Sequence, residues 1–229
     1  MFKIYISTPV AAYSKSVLLN YTTLVILGGA LLSTFAWFVS GTALRPLVAS
    51  AAAPADRAIA AAIHSHASAG VLEAMAWVSR LHSTAGILVM SALAAAWLAH
   101  RGYRAALPFL LAGVPGGLLL NVLVKHAVQR VRPDQVYATE RLTTFSFPSG
   151  HTAGATVLYG FLVAMLWPLC RSPLARAALV AAAATLVFLV AASRIMLGLH
   201  YASDCVAAVA EGLLWLAICL AMLHRADRP

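Results

Sequence analysis

Long apolar runs separated by short polar segments make up most of the chain between residues 17 and 223. These runs are rich in Ala, Leu and Val, show no two-residue alternation, and in several places reach the roughly 18–20 residues that a membrane-spanning helix needs. Helices also satisfy their own backbone hydrogen bonds, which hydrocarbon requires. The pattern predicts six spanning helices, at residues about 17–39, 84–99, 105–124, 151–169, 175–197 and 201–223.

Composition supports an all-α integral membrane protein. The 229 residues are 62% hydrophobic and only 10% charged, with a mean hydropathy of +0.86. No internal repeat or linker is visible, so residues 1–229 are expected to form a single domain. The three cysteines, at positions 170, 205 and 219, show no CxxC spacing, which argues against a disulfide framework or a cysteine zinc site. The net charge of +9 comes from cations that flank spans or gather in polar clusters, so nucleic acid is not an expected partner.

The polar-dotted stretch from residue 40 to residue 83 is expected to contain interfacial helices in the first outer loop. Pro54 and Asp56 indicate a helix start, and residues 58–78 then predict a helix at the membrane surface or between spans. Three histidines in this stretch are interpreted as surface residues: His64, His66 and His82. Farther along, Pro115-Gly116-Gly117 predicts a kink or break in the third span.

An even number of spans places both termini on one side, together with the short loops at residues 100–104 and 168–176. Positive residues in these segments make that side cytoplasmic: Lys3, Lys15, Arg101, Arg104, Arg171, Arg176, Arg225 and Arg228. The opposite side carries comparable numbers of Lys and Arg, but three of them belong to the clusters described next. In a bacterial inner membrane that side is periplasmic. The run that begins at Val17 is long enough to span, which favours an uncleaved first helix over a signal peptide.

Three polar clusters fall on the predicted outer side. In the last one, His200 and Asp204 are four residues apart, so on a helix they share a face. A carboxylate that accepts a hydrogen bond from one imidazole nitrogen leaves the other nitrogen as a directed lone pair, as in an activated nucleophile or general base. Arg194, near the end of the preceding span, is expected to approach the same point.

The two earlier clusters add groups that bind anions. Ser149 is a natural N-cap, and Gly150 lets backbone amides approach an anion at the start of a helix, with His151 beside it. Lys125 and Arg132 supply a point charge and a planar fork that fits phosphate oxygens. Arg130, in the same loop as Arg132, is interpreted as a solvated or lipid-facing charge.

The three clusters closely resemble the signature of the type-2 phosphatidic acid phosphatase superfamily of integral membrane lipid phosphatases. Its three parts, Lys-x6-Arg-Pro, Pro-Ser-Gly-His and Ser-Arg-x5-His-x3-Asp, are complete at Lys125–Pro133, Pro148–His151 and Ser193–Asp204. Met196 and Ala202 stand where Tyr and Pro are common, which weakens any assignment to a subfamily.

The resemblance implies a role for each residue of the signature. His200 attacks phosphorus and forms a phosphohistidine, Asp204 orients it, and His151 protonates the leaving alkoxide and then helps to activate water. The phosphoryl oxygens are held by Lys125, Arg132, Ser149, Gly150 and Arg194. Three cations and several amides compensate phosphoryl charge without a metal, and the chain lacks a carboxylate cluster suited to magnesium, so no metal or other cofactor is expected. The implied partners are a lipid phosphate and the surrounding membrane lipids.

Candidate substrates are phosphatidic acid, phosphatidylglycerol phosphate, undecaprenyl pyrophosphate and a lipid A phosphate, with undecaprenyl pyrophosphate slightly favoured by an outward-facing site. Three alternatives remain: a lipid phosphotransferase that uses the same intermediate, a vanadate-dependent haloperoxidase, against which the long spans argue, and a non-catalytic lipid-binding or transport protein. Glu211, seven residues after Asp204, is expected on the same helix face in a structural role. The sequence gives no indication of oligomeric state.

Overall fold

The structure, a computed structural model, describes residues 53–64, 66–133 and 142–226. Within these ranges the secondary structure is helical throughout, with seven α-helices: α1 Ala53–His64, α2 Ala69–Leu81, α3 Thr84–His100, α4 Leu107–Val128, α5 Gly150–Leu166, α6 Pro173–Met196 and α7 Ala202–Ala226. Short 3₁₀ turns at Arg104–Ala106 and Trp167–Leu169 adjoin α4 and α5. The predicted span at residues 17–39 lies outside the described residues.

Four of the described helices are long and apolar enough to cross a membrane: Leu107–Val128, Gly150–Leu169, Pro173–Met196 and Ala202–Met222. A fifth span is counted only if α2 and α3, which are bent by 58° at the break between them, act together as one broken span. The chain is therefore an integral membrane protein, but the predicted total of six spans is not confirmed. The segment predicted at residues 84–99 corresponds to α3, which is too short to meet the same criterion alone.

Helix α5 is the centre of the bundle and packs against α3, α4, α6 and α7. Its residues 152–158 are all buried, so every side of this part of the helix meets protein. Small residues allow the close approach: a Cβ on Gly212 of α7 would lie 2.8 Å from the Cβ of Thr156 and 3.1 Å from the carbonyl of Ala153. The apolar core around it is formed mainly by Ile87, Leu98, Leu110, Val114, Leu158, Phe161, Val190 and Trp215.

One prediction about helix continuity was wrong, and of the kink or break predicted at Pro115 the break is absent. The single helix predicted over residues 58–78 is two helices, and the second begins after Ser68, whose hydroxyl accepts a hydrogen bond from the amide of Val71. Conversely, α4 continues through Pro115 without a break. The two glycines after Pro115 lie against the Trp215 ring, and the Trp215 Nε1 donates to the Gly113 carbonyl over 2.7 Å.

The break between α2 and α3 brings the end of α2 close to the start of α3. Ser83 caps α3 by accepting a hydrogen bond from the amide of Gly86. A Cβ at Gly86 would lie 2.0 Å from the Leu81 carbonyl oxygen, so only glycine fits there. The helix start predicted at Pro54 to Asp56 is confirmed by α1, and α2 is tucked against α6, with Ala76 and Ser79 buried.

Candidate active site

Helix ends bring the three polar clusters together. Lys125 lies in the last turn of α4, Arg194 in the last turn of α6, and the segment from Ser149 to His151 begins α5. The Ser149 amide donates to the Asp204 carbonyl over 3.2 Å, which joins the start of α5 to the start of α7. The spatial convergence on which the sequence interpretation depends is therefore present.

The positions of Asp204 and Arg132 determine which ring nitrogen of His200 carries the proton. His200 lies in the loop before α7 rather than on the helix, yet its Nδ1 is 3.4 Å from Asp204 Oδ2. Arg132 Nη1 lies 3.1 Å from Nε2, and because a guanidinium only donates, Nε2 must accept and the proton belongs on Nδ1. Burial, together with the nearby positive charges of Lys125, Arg132 and Arg194, lowers the pKa of His200 to about 3 against the opposing effect of Asp204. The imidazole is thus neutral at ordinary pH.

The backbone around His200 is fixed by the end of α6. The amides of Leu199 and His200 both donate to the Arg194 carbonyl, over 3.0 and 3.2 Å. Gly198 supplies the positive φ, 67°, that this helix end requires. The side chains of Arg194 and His200 are consequently placed by the same turn.

Asp204 is completely buried and is surrounded by donors. Its Oδ1 accepts from Arg130 Nη1 over 2.6 Å, and its Oδ2 accepts from Ser146 Oγ over 2.5 Å and from the Tyr201 amide over 2.9 Å. A carboxylate with this many donors is stabilised in its ionised form. Ser146 was not identified from the sequence, since nothing distinguishes it from other serines of the loop.

The structure corrects the interpretation of Arg130. This residue was interpreted as solvated or lipid-facing, but it is 8% exposed and forms ion pairs with Asp56 over 2.7 Å and with Asp204 over 2.6 Å. Its guanidinium also stacks over the Tyr201 ring at 4.3 Å. Burial alone would lower the pKa of Arg130, but the hydrogen bonds and charges of the two carboxylates raise it instead.

Lys125 and Arg132 donate to backbone carbonyls around the site. Lys125 Nζ lies 3.0 Å from the Phe145 carbonyl, 3.4 Å from that of Ser146 and 2.5 Å from that of Pro148. Arg132 donates to the carbonyls of Thr144, over 2.6 Å, and Leu199, over 2.7 Å. Burial lowers the pKa of Arg132 to about 10, with Asp204 opposing the effect, so the side chain remains a cation.

The Arg194 guanidinium is only partly hydrogen-bonded to the described residues. Its Nη1 donates to Ser79 Oγ from α2, whereas its buried Nε has no hydrogen-bond partner among the described residues. The whole side chain is only 3% exposed. Because a buried charged donor without a partner is costly, this atom indicates a place for an acceptor such as an anion. Ser79 was not identified from the sequence.

The start of α5 presents His151 and free amides. Ser149 occupies the N-cap position, as predicted, but its hydroxyl accepts from Thr152 Oγ1 over 3.1 Å instead of capping the helix. The amides of Gly150 and His151 donate to none of the described residues. His151, in the first turn of α5, is half-buried at this same helix start.

Two other polar residues lie close to this region, His82 buried and Glu211 half-buried. His82, interpreted as a surface histidine, is only 7% exposed, and its Nε2 accepts from the Tyr159 hydroxyl over 2.6 Å while its Nδ1 donates to the Val78 carbonyl. His66 is exposed, as expected. Glu211 Oε2 accepts from Asn121 Nδ2 over 2.8 Å, a contact between α7 and α4. Among the described residues, no group of three or more His, Cys, Asp or Glu side chains is arranged to hold a metal ion.

Comparison with known proteins identifies the family. The family model for the PAP2 superfamily matches residues 105–228, which is just over half of the chain and includes every residue of the three clusters. The chain belongs to the PAP2 superfamily.

Two PAP2 relatives come from Bacillus subtilis. Phosphatidylglycerophosphatase B of strain 168 is 35% identical over 100 residues, which are 42% of this chain and 47% of that protein, so the chain spans about half the length of this curated relative. A crystal structure described as the first transmembrane PAP2-type phosphatidylglycerolphosphate phosphatase matches with a TM-score of 0.70 and 24% identity. That match covers 89% of this chain and 96% of the other, and it shows a common fold.

Proposed function

We propose that this PAP2 protein is a membrane lipid phosphatase that hydrolyses a phosphomonoester or pyrophosphate of a lipid through a phosphohistidine on His200. The observation that carries the proposal is the neutral imidazole of His200, whose Nε2 lone pair lies among the three cations Lys125, Arg132 and Arg194. A nitrogen lone pair in a cationic, water-poor site fits nucleophilic attack on phosphorus.

The proposed reaction has two steps. In the first, His200 Nε2 forms a bond to phosphorus while the bond from phosphorus to the lipid oxygen breaks, and His151 gives its proton to the departing alkoxide. In the second, His151 removes a proton from water, the resulting hydroxide attacks phosphorus, and the bond to Nε2 breaks to release phosphate. Asp204 Oδ2 lies 3.4 Å from Nδ1 in the structure. In this reaction it would draw closer to accept from Nδ1 and stabilise the positive charge that develops on His200.

Phosphoryl oxygens would be held by Lys125, Arg132 and Arg194, together with Ser149 and the amides at the start of α5. The Nε of Arg194 and the amides of Gly150 and His151, which have no partner in the described part of the chain, support this placement. Lys125 would exchange at least one carbonyl for a phosphoryl oxygen. Arg132 Nη1, which lies 3.1 Å from His200 Nε2, would turn to a phosphoryl oxygen and so release the Nε2 lone pair for attack. Charge compensation of this kind requires no metal, so we propose a metal-independent reaction.

The substrate that we propose to test first is phosphatidylglycerol phosphate, because both Bacillus subtilis relatives are named for that activity. Purified protein in detergent micelles would be assayed for released phosphate with this lipid, phosphatidic acid and undecaprenyl pyrophosphate. His200→Ala should lower kcat by at least about a thousandfold, while the exposed His66→Ala should match the wild type. An alkaline quench, which preserves a phosphorus–nitrogen bond, should trap label from a radioactive substrate on the wild-type chain alone.

Two results would contradict the proposal. Equal phosphate release by His200→Ala and the wild type would exclude the nucleophile, and wild-type protein that consumes none of the lipids would exclude the activity. Product analysis in the presence of glycerol or another alcohol separates hydrolysis from transfer, because a transferase makes a new phosphoester in place of free phosphate.

The proposed orientation places the active site on the periplasmic face of a bacterial inner membrane, with both termini cytoplasmic. Thr143 and Arg171 are exposed and lie at opposite ends of α5. A membrane-impermeant maleimide applied to intact spheroplasts should label Thr143→Cys and not Arg171→Cys. The reverse pattern would invert the topology.

A further inference from the structure

A carboxylate from α1 reaches the start of α7, about 150 residues later in the chain. Asp56 Oδ1 accepts from the Ser203 amide over 3.0 Å, and its Oδ2 accepts from Ser203 Oγ over 2.6 Å. Asp56 is only 3% exposed. It therefore caps the first turn of α7, the turn that carries Asp204, from a separate helix.

Arg130 joins the same carboxylate to Asp204. Its Nη2 donates to Asp56 Oδ2 over 2.7 Å, and its Nη1 donates to Asp204 Oδ1 over 2.6 Å and to Ser203 Oγ over 2.7 Å. The flat face of the guanidinium rests on Tyr201. One planar fork thus fixes two buried carboxylates relative to each other, which an ammonium could not do with the same geometry.

The contact with Arg130 determines which oxygen of Asp204 faces His200. Because Arg130 occupies Oδ1, the other oxygen, Oδ2, is the one that lies 3.4 Å from His200 Nδ1. Rotation of the carboxylate would break the ion pair with Arg130 as well as the hydrogen bond from Ser146. The orientation of His200 consequently depends on groups that do not touch it.

We propose that Arg130 and Asp56 are positioning residues for His200, which act through Asp204 and make α1 a component of the active site. The inference rests on the proposed function, since it assigns these residues to the step that His200 performs. A purely structural ion pair would affect stability without a specific effect on the protonation of His200.

Charge gives the two residues opposite effects on His200. The groups that face this ring are Lys125 from α4, Arg132 from the following loop, His151 from α5, Arg194 from α6 and Asp204 from α7. Arg130 neutralises part of the negative charge of Asp204. Without Arg130, Asp204 should stabilise the protonated form of His200 more strongly, which raises the pKa of His200. Asp56 competes with Asp204 for Arg130, so its loss should lower that pKa further.

The experiment compares Arg130→Gln and Asp56→Asn with Arg57→Gln, a neighbouring exposed arginine of α1. We expect kcat to fall about 10- to 100-fold in Arg130→Gln and about 3- to 10-fold in Asp56→Asn, with KM within about threefold of the wild type. Arg57→Gln should match the wild type. Arg130→Lys should recover part of the kcat, because it restores the charge without the fork.

The pKa of His200 provides a readout that does not require turnover. Histidine-selective ¹³C labelling in detergent micelles, with His200→Ala for assignment, should show the pKa of His200 rising in Arg130→Gln and falling in Asp56→Asn. The proposed function fails if the wild type releases no phosphate; the positioning role fails if Arg130→Gln leaves both kcat and the His200 pKa unchanged. If Arg130→Gln does not fold, as judged by size-exclusion chromatography, Asp56→Asn decides: wild-type kcat in that variant overturns the role of α1.

Discussion

Replacing Ser146 by Ala removes one hydrogen bond from the carboxylate beside the proposed nucleophile. Ser146 Oγ donates to Asp204 Oδ2 over 2.5 Å, and both residues are completely buried. Without the hydroxyl, Oδ2 keeps the Tyr201 amide at 2.9 Å and the His200 ring at 3.4 Å. Hydrogen bonds to charged groups contribute about 1.5–3 kcal/mol, so we expect the free energy of unfolding to fall by about that amount.

The same change should slow the reaction more than it weakens binding. A carboxylate with fewer donors is oriented less well, so we expect kcat to fall about 10- to 100-fold, or about 1.4–2.7 kcal/mol in the barrier. The Ser146 carbonyl, which accepts from Lys125, is retained in the alanine variant. For this reason KM should stay within about threefold of the wild type.

Phosphate release and thermal unfolding in the same detergent measure the two effects. Ser91→Ala is the matched control, because Ser91 is also buried but donates to a helical carbonyl, that of Ile87, over 2.7 Å. It should leave kcat unchanged and cost less than about 1 kcal/mol. Wild-type kcat in Ser146→Ala, or an equal loss in Ser91→Ala, would refute the reasoning.

Three further predictions follow from other parts of the structure. Folding lowers the pKa of His200 from 6.5 to about 3. The free energy of unfolding should therefore decrease by about 1.4 kcal/mol per pH unit as the pH falls from 6.5 towards 3. His200→Ala should remove this pH dependence from unfolding curves measured between about pH 7.5 and 4.5. Gly212→Ala should separate α5 from α7 and cost about 1–3 kcal/mol, whereas Gly70→Ala, which meets nothing within 4 Å, should be tolerated in the same thermal assay. Phosphate release should survive dialysis against a chelator, and activity that returns only with an added divalent ion would contradict a metal-independent reaction.

The sequence was most informative where residues of one chemical type recur at fixed spacing. Five of the six predicted spans correspond to helices of the described chain, and Lys125, Ser149 and Arg194 lie at the helix ends where they were expected. Apolar length and helix capping are local properties, so the printed sequence contains most of what determines them.

The residues that were missed depend on contacts between distant segments. Asp56 was interpreted only as a helix-start residue, because an acidic side chain in a first turn is ordinary. Arg130 was interpreted as an interfacial cation, since arginines beside spans commonly extend towards water. Ser79 and Ser146 carry no local signal at all. Their roles arise from packing α1, α2 and the loop before α5 around the start of α7, which a periodicity argument does not describe.

The backbone carbonyls that accept hydrogen bonds from Lys125 and Arg132 would compete with a bound phosphate for these two cations. Each cation already has backbone acceptors within 3.0 Å, on Pro148 for Lys125 and on Thr144 and Leu199 for Arg132. A phosphoryl group that binds must displace some of these carbonyls. When phosphate leaves, the carbonyls accept hydrogen bonds from the two cations again. If the chain is the phosphatase proposed above, these acceptors would weaken the binding of inorganic phosphate and so favour its release after each turnover.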